Sequence, residues 1–477
     1  MDVTREAPQI RGMISKTGSH GPGSAPHPAL EVLRALARPK VAVMLALGFS
    51  SGLPFMLIGN TLGLWLDEAG VRLALIGFLS WIGLTYSVKF LWGAVVDRIP
   101  APLLGGLGRR RSWMLITQIG VGIGLVGMAS CDPRTHLAML VGFGLLAGIS
   151  AAAQDTVIDA WRIEIAADGE ELGLLTSAYS LGYRGALVAT EALILLLAQA
   201  VGWPLAYALY GLLMAVGVIA SLAAQEPEEA DRAIEAHDRA ARGRPAQGAA
   251  DAVIGPFLAF LKTHGAALAA LILGLITLYH LSDYVRGPMS LPYYRALHID
   301  KPTIVAVRAT VGLVGSLAGV ALGGLSTLRI GVMRSLILGG IVQPLAVAAF
   351  ALLAAHGGDY ALLELGSLKI SAFAAIMTFD SLAMGYAGVA LVTYMSGLTS
   401  LGYTATQYAL LTSVLTWTGK TLKGFSGLLV EHLSHGRSLI EAYGLFYLLA
   451  AALGLPAVGL ALWLGLTSSA RRRIAAS

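Results

Sequence analysis

The sequence predicts an all-α membrane protein in which two six-helix bundles surround a central cavity. Of the 477 residues, 56% are hydrophobic and only 13% are charged, and the mean hydropathy is +0.72. A chain this apolar cannot stay dissolved in water. About a dozen segments also reach the roughly 20 apolar residues that a membrane-spanning helix needs.

We expect twelve spans, and their order sets the predicted domain boundaries. The spans lie near residues 41–60, 73–96, 113–130, 137–163, 172–200, 203–224, 257–285, 303–325, 331–354, 366–395, 405–430 and 438–467. The long polar segment 225–252 separates an N-terminal bundle at 41–224 from a C-terminal bundle at 253–467. We expect residues 1–40 to be a disordered tail, without a signal peptide, and residues 468–477 to be a basic tail.

Basic residues cluster beside the predicted spans and not on a soluble face, so the net charge of +5 does not indicate a nucleic-acid partner. The clusters are Arg34, Arg38 and Lys40, then Arg109, Arg110 and Arg111, then Arg471, Arg472 and Arg473. With twelve spans all three fall on one side, so the positive-inside rule places both termini in the cytoplasm. The single cysteine, Cys131, gives neither an internal disulfide nor a metal site, and no cofactor is expected.

An internal repeat supports the division into halves. The stretch 174-LLTSAYSLGYR-184 in span five is echoed by 410-LLTSVLTWTGK-420 in span eleven, so that Arg184 corresponds to Lys420. Four identical residues between apolar segments can arise by coincidence. Their equal rank in each half favours duplication of a six-helix unit.

The loop after span two is a candidate gate. It carries an acid and several basic residues next to glycines, namely Gly93, Asp97, Arg98, Gly108, Arg109, Arg110 and Arg111. An acid at a helix terminus beside arginines can form charge-assisted bonds that hold one conformational state. We assign the gate to Asp97, Arg98 and Arg109. The alternative is that these arginines only set the membrane topology.

Two carboxylates lie within span four, where a charge is costly and usually functional. Asp155 and Asp159 are four residues apart and share one helix face. Estimated depths place Arg184 roughly level with Asp155, and Lys89 near the level of Asp159. We therefore expect Asp155 to pair with Arg184 and to exchange that partner for a proton, while Asp159 pairs with Lys89. Both acids could instead form purely structural ion pairs.

Further polar residues occur near these acids. Arg162 and Glu164 are expected near the interface, as solvated or gate-pairing groups. Asp283, Asp380, Lys420 and Lys423 place charges in the second half, and a chamber of this composition suits a large hydrophilic solute with carboxylates. The aromatic residues Tyr179, Tyr183, Tyr279, Tyr284, Tyr386 and Trp417 could stack on sugars, or could simply fill the bundle cores.

Several stretches together resemble the AmpG muropeptide permeases, a branch of the major facilitator superfamily. They are 48-GFSSGLPFMLIGNTLGLWL-66, 89-KFLWGAVVDR-98, 109-RRRSWMLITQ-118, 154-QDTVIDAW-161 and 404-TATQYALL-411. The resemblance covers about residues 41 to 465. It implies a major facilitator fold and a proton symporter of the bacterial inner membrane. The implied solutes are N-acetylglucosaminyl-1,6-anhydro-N-acetylmuramyl peptides, which are imported from the periplasm for cell-wall recycling.

The resemblance also implies roles for particular residues. Gln154, Asp155 and Asp159 match the family pattern Gln-Asp-x-x-x-Asp, and spans one, four, seven and ten line the cavity in the superfamily. The resemblance therefore implies coupling or binding roles for Gln154, Asp155 and Asp159. To the proton-coupling candidates we add Asp283 and Asp380, because they lie in predicted cavity helices. The charges and aromatic rings of the predicted chamber add the substrate-binding candidates Tyr179, Tyr183, Arg184 and Lys420. The chain departs from the family around Asp283, where His280, Leu281 and Ser282 replace Lys-Leu-Gly, and at Asp380, where Glu-Asn is usual.

No sequence pattern indicates an enzyme: Gly-x-Ser-x-Gly, a phosphate loop and a His-Glu metal motif are all missing from the sequence. We therefore expect a monomeric carrier whose partners are a sugar-peptide, protons and membrane lipids. Two alternatives stay open. One is a non-transporting assembly factor on the same fold, and the other is a symporter for another anionic solute, such as a lipid-linked sugar or an acyl thioester.

Overall fold

The computed structural model describes residues 38–71, 89–99, 101–102, 104–227, 229, 232, 249–357, 361–365, 368–400, 403–422 and 425–476. These residues form two compact units. The first lies within Met1–Thr263 and Ser396–Ser413, and the second within His264–Met395 and Val414–Ser477.

In the first unit, the described residues form ten helices that precede the second unit in the chain. They are α1 Pro39–Leu57, α2 Asn60–Glu68, α3 Lys89–Arg98, α4 Arg109–Ala129, α5 Leu137–Ile165, α6 Gly169–Val188, α7 Ile194–Val201, α8 Trp203–Leu213, α9 Ala215–Ala223 and α10 Ala249–His264. A π-helical turn at Ala189–Leu193 joins α6 to α7, so that predicted span five is one helical rod.

Among the described residues, eleven more helices follow. All belong to the second unit except the last residue of α17 and the beginning of α18, which lie among residues of the first unit. They are α11 Ala266–Tyr279, α12 Leu281–Arg286, α13 Ser290–Ala296, α14 Lys301–Val307, α15 Leu313–Ile330, α16 Val332–His356, α17 Ala372–Ser396, α18 Thr404–Leu422, α19 Ser426–Leu433, α20 Leu439–Ala452 and α21 Leu455–Ala476. The fold is therefore helical, as predicted.

Within the described part of the chain, nine helical stretches are long and apolar enough to cross a membrane. They are Pro39–Leu66, Arg109–Ala129, Leu137–Ile165, Trp203–Ala223, Ala266–Ala296, Pro302–Ile330, Val332–His356, Ala372–Ser396 and Leu439–Leu466. Each overlaps a predicted span. Of the other three predicted spans, the second lies partly outside the described residues, the fifth is the rod formed by α6 and α7, and the eleventh is α18 with α19.

One element was not predicted. Strands β1 Ala361–Leu365 and β2 Leu368–Ser371 pair antiparallel in front of α17, whereas the tenth span was expected to begin at residue 366. Leu365 is the register partner of Leu368, and the intervening Gly366 and Ser367 are residue types that favour turns. The helix consequently starts only at Ala372.

Helices α1 and α6 cross closely because glycines meet backbone at the crossing. A methyl group at Gly48 would overlap the backbone of Tyr179, and one at Gly182 would overlap the carbonyl of Leu45. Small residues at such crossings let two membrane helices approach each other. The glycines in 48-GFSSGLPFMLIGNTLG-63 predict close packing of span one, and the structure confirms it. This packing brings the polar residues of α1 against those of α6.

Candidate functional site

The first candidate site, which we call the gate cluster, consists of Asp97, Arg110 and Glu164 of the first unit. The Arg110 guanidinium donates to Asp97 Oδ1 at 2.9 Å and to Glu164 Oε2 at 2.8 Å. All three side chains are buried, with exposed fractions of 2% or less. A buried cation between two carboxylates is strongly held, because removing the cation leaves both carboxylates without a counter-ion.

Asp97 also holds the start of helix α18. Its Oδ2 atom accepts hydrogen bonds from the backbone N–H and the hydroxyl of Thr406, each at 2.9 Å. A methyl group at Gly93, one turn earlier on α3, would overlap the backbone of Thr406. The carboxylate therefore meets the positive end of a helix dipole at close range.

The predicted gate residues are only partly brought together. Arg109 donates to the backbone carbonyl of Asp97, and the carboxylate pairs with Arg110 instead. The side chain of Arg98 lies outside the described part of the structure. Glu164 takes the gate-pairing role, one of the two roles expected for it. Position in the sequence did not distinguish the three consecutive arginines, because which one points inward depends on how α4 is rotated.

Glu226, at the start of the polar segment, was not anticipated. Its carboxylate accepts from the backbone N–H groups of Arg110 at 2.6 Å and Arg111 at 3.1 Å, and so caps the first turn of α4. Gly108, just before this turn, has φ +94° and packs against the Glu226 side chain. The beginning of segment 225–252 is thus held against the gate cluster.

The second candidate site, the span-four cluster, surrounds the two carboxylates of α5. Lys89 Nζ lies 3.2 Å from Asp155 Oδ2 and 3.7 Å from Asp159 Oδ2. Asp159 Oδ1 also pairs with Arg162 at 3.2 Å. The predicted pair between Asp159 and Lys89 is present. Lys89 also neutralises Asp155, the acid for which Arg184 had been considered as a partner.

Depth along the membrane does not fix the direction of a side chain around the axis of its helix, so estimated depth alone did not identify Lys89 as a partner of Asp155. Arg162 is also not solvated, as had been considered: its side chain is 1% exposed. Its guanidinium lies 5.4 Å from the ring centre of Tyr179 and 5.5 Å from that of Tyr408.

Polar residues of α1 and α6 complete this cluster. The Ser51 hydroxyl donates to Asp155 and is 2.9 Å from the Tyr179 hydroxyl. Gln154 is fully buried and donates to Ser50 at 3.0 Å, and its Oε1 atom has no hydrogen-bond partner among the described residues. The Tyr179 and Tyr183 ring centres are 6.0 Å apart. The predicted residues Gln154, Tyr179 and Tyr183 therefore lie beside Asp155.

The third candidate site, the Arg286 cluster, belongs to the second unit. Arg286 donates to both oxygens of Asp380, at 2.8 and 2.9 Å, and to Asp283 Oδ1 at 3.0 Å. The structure thus joins two acids that had been selected separately. Arg286 itself was missed, although its spacing of three from Asp283 was a usable signal.

The remaining candidates are less informative. Tyr279 donates its hydroxyl to the Leu336 carbonyl at 2.7 Å, and Tyr386 bonds to Ser326, so both act in helix packing. The side chains of Trp417, Lys420 and Lys423 lie outside the described part. No group of three or more His, Cys, Asp or Glu side chains suited to a metal occurs among the residues described.

Comparison with known proteins agrees with this architecture. The family model described as Major Facilitator Superfamily matches residues 44–379. The proton:xylose symporter XylE bound to 6-bromo-6-deoxy-D-glucose superposes with a TM-score of 0.59 at 14% identity, covering 91% of this chain and 95% of that one. The human organic anion transporter MFSD10 superposes with a TM-score of 0.58 at 16% identity, covering 89% and 99%. The chain is therefore a transporter of the major facilitator class.

Sequence relatives narrow the family. The anhydromuropeptide permease of Escherichia coli (strain K12) is 31% identical over 429 residues, covering 89% of this chain and 80% of that protein. Putative transporter AmpG 4 of Rickettsia conorii is 30% identical over 420 residues, covering 88% and 94%. The chain belongs to this AmpG family of the major facilitator superfamily, and is a multi-pass protein of the bacterial inner membrane.

Proposed function

We propose that this protein imports anhydromuropeptides from the periplasm into the cytoplasm, together with protons, for recycling of the cell wall. The substrate class comes from the name of the Escherichia coli relative. The observation that carries the transport mechanism is the span-four cluster, where two buried carboxylates share Lys89.

The two carboxylates of this cluster are not equivalent, which suggests separate roles. Asp159 is held by both Lys89 and Arg162. Among the described residues, the cation seen to pair with Asp155 is Lys89, whose side chain is 21% exposed. A proton can replace Lys89 at Asp155 more readily than it can replace two cations at Asp159. We therefore assign proton coupling to Asp155 and a structural role to Asp159.

Binding of the sugar-peptide is assigned to the polar and aromatic residues beside this carboxylate. Tyr179 and Tyr183 offer adjacent rings to a sugar face, and Arg184 offers a guanidinium to a peptide carboxylate. Gln154 is fully buried and supports α1 through Ser50. Lys420 is assigned a role like that of Arg184, on the strength of the internal repeat alone.

The proposed arrangement in the membrane follows the positive residues. Twelve spans place both termini and segment 225–252 in the cytoplasm. The gate cluster then lies on the cytoplasmic side, where Asp97 holds the start of α18 until the carrier opens inward. The chain acts as a monomer surrounded by lipid.

Uptake into proteoliposomes tests this proposal. The full chain is reconstituted, and a labelled N-acetylglucosaminyl-1,6-anhydro-N-acetylmuramyl tripeptide is added outside, with the membrane potential clamped at zero. Accumulation of the muropeptide that requires an inwardly directed proton gradient supports the proposal. If the protein exchanges a different anionic solute and takes up no muropeptide, that solute would take the place of the muropeptide as the proposed substrate. Absence of any solute movement would favour an assembly factor.

A further inference from the structure

Among the side chains that the structure describes, the Arg286 cluster carries one more negative charge than positive charge when His280 is neutral. Asp283 and Asp380 contribute two carboxylates, and Arg286 contributes one guanidinium. The span-four cluster is different, since Lys89 and Arg162 balance Asp155 and Asp159. An uncompensated charge that is buried in a membrane protein is costly, so the Arg286 cluster has a reason to bind a cation.

Among the described residues, the groups near the cluster on neighbouring helices form no further ion pair with its carboxylates. Tyr294 of α13 and Tyr447 of α20 lie near Arg286, and Tyr284 follows Asp283 in α12. Tyrosines are neutral near pH 7. Arg308, in the π-helical turn after α14, acts on Asp380 electrostatically. Helix α16 contributes Gln343, which is uncharged.

His280 is placed to complete the balance. Its Nδ1 atom lies 3.4 Å from Asp283 Oδ2 and 2.8 Å from the Gln343 amide nitrogen. It occupies the break between α11 and α12, with φ −103° and ψ 13°, and its side chain is 15% exposed. The imidazole is therefore within reach of both the acid and some solvent.

Gln343 can serve either form of this histidine. With its amide nitrogen toward Nδ1 it donates to a neutral imidazole. Its Oε1 atom is buried without a hydrogen-bond partner among the described residues. Rotation of the amide by half a turn would present Oε1 to a protonated Nδ1, because the two ends of an amide have nearly the same shape. Both protonation states of His280 can thus be hydrogen-bonded.

We propose that the pair His280 and Asp283 binds one proton, separate from the proton assigned to Asp155. The proton resides on His280 Nδ1, and the resulting positive charge is neutralised by the Asp283 carboxylate, whose Oδ2 atom is 3.4 Å away. Binding makes the cluster neutral and strengthens the contact across the break between α11 and α12. Its role in transport rests on the proposed function, whereas the binding of the proton itself does not.

Nuclear magnetic resonance of the full chain in micelles tests proton binding directly. The ten histidines are isotope-labelled, and the His280 signal is identified by its loss in His280→Gln. We expect this signal to show reversible protonation of the imidazole as the pH is lowered, and to follow a different curve in Asp283→Asn. Should His280→Gln fail to fold, His280→Asn provides the identification. A His280 signal that stays neutral throughout, or a curve that Asp283→Asn leaves unchanged, overturns the proposal.

Transport supplies an independent measurement. At zero membrane potential each coupled proton multiplies the equilibrium accumulation ratio by about tenfold per unit of pH gradient. We expect His280→Gln to lower that ratio about tenfold, while His356→Gln, an exposed histidine on α16, leaves it unchanged. An unchanged ratio in His280→Gln excludes the coupled second proton. If the wild type moves no muropeptide at all, the proposed function fails, and the resonance experiment still decides whether His280 binds a proton.

Discussion

Each unit contains a pair of membrane carboxylates that one basic side chain bridges, besides the bridge that Arg110 forms in the gate cluster. Lys89 joins Asp155 to Asp159, and Arg286 joins Asp283 to Asp380. Sequence reasoning selected all four acids, since an ionisable residue within an apolar span stands out. It found only one of the two bridging cations, because the partner of an acid depends on helix rotation and rotamer.

The first prediction concerns Asp155. Asp155→Asn resembles the protonated carboxyl group and removes the attraction for Lys89, so the variant can no longer exchange that cation for a proton. We expect accumulation driven by a pH gradient to be lost, while substrate exchange at equal pH remains partly intact. Both rates are measured in proteoliposomes with labelled muropeptide.

Asp132→Asn, in an exposed loop of the same unit, serves as the control and should accumulate substrate normally. If Asp155→Asn still concentrates substrate under an imposed pH gradient, coupling does not pass through Asp155. The Arg286 cluster would then be the site to examine.

The second prediction tests the structural role of Asp159, as distinct from the coupling role of Asp155. In Asp159→Asn the guanidinium of Arg162, which is 1% exposed, loses the carboxylate that neutralises it. Lys89 keeps Asp155. Breaking a buried ion pair from one side costs about 3 kcal/mol, so we expect a clearly lower midpoint of thermal unfolding and less folded protein. Equal midpoints of thermal unfolding for Asp159→Asn and wild type would exclude the structural role proposed for Asp159.

At the scale of elements, the sequence predicted helices well and their interruptions poorly. Long apolar runs locate the spans, and the glycines of α1 correctly indicated a close crossing with a neighbour. The hairpin before α17 was missed because its strands are as apolar as a helix of the same length. The break at His280 was missed because no proline or glycine occurs at that position to indicate it.

The third prediction concerns the contact between α3 and α18. Asp97→Asn keeps the shape of the side chain but removes the charge that meets the first turn of α18, while Glu164 still neutralises Arg110. We expect a folded protein in which that contact opens more often. A cysteine introduced at Ser180, in a chain whose only native cysteine is removed by Cys131→Ala, should change its labelling rate several-fold.

A graded comparison sharpens this experiment. Thr406→Val removes one of the hydrogen bonds to Asp97 and should shift labelling in the same direction by less. Asp300→Asn alters another acid at the start of a helix. Because the Asp300 side chain makes no capping hydrogen bond, this variant should be labelled at the wild-type rate. Identical labelling in Asp97→Asn and wild type would leave the loop with a role in topology alone.

For the molecule as a whole, composition and internal repetition were sufficient to predict the fold class. Hydrophobicity indicated a membrane protein, and the repeat of span five in span eleven indicated a duplicated unit. Contacts between distant segments were beyond such reasoning. The capping of α4 by Glu226, more than a hundred residues away, depends on how the chain packs and leaves no local signal.

The last prediction is the topology, which follows from the number of spans and the position of the arginines. An even number of spans returns the chain to its starting side, and the clusters at 109–111 and 471–473 place that side in the cytoplasm. Reporter fusions after residues 30 and 475 should both report the cytoplasm, whereas a fusion after Pro133, between spans three and four, should report the periplasm. A periplasmic signal from either terminus would mean an odd number of spans or an inverted chain. The gate cluster would then have to be reassigned, because the cytoplasmic side proposed for Asp97 depends on this count.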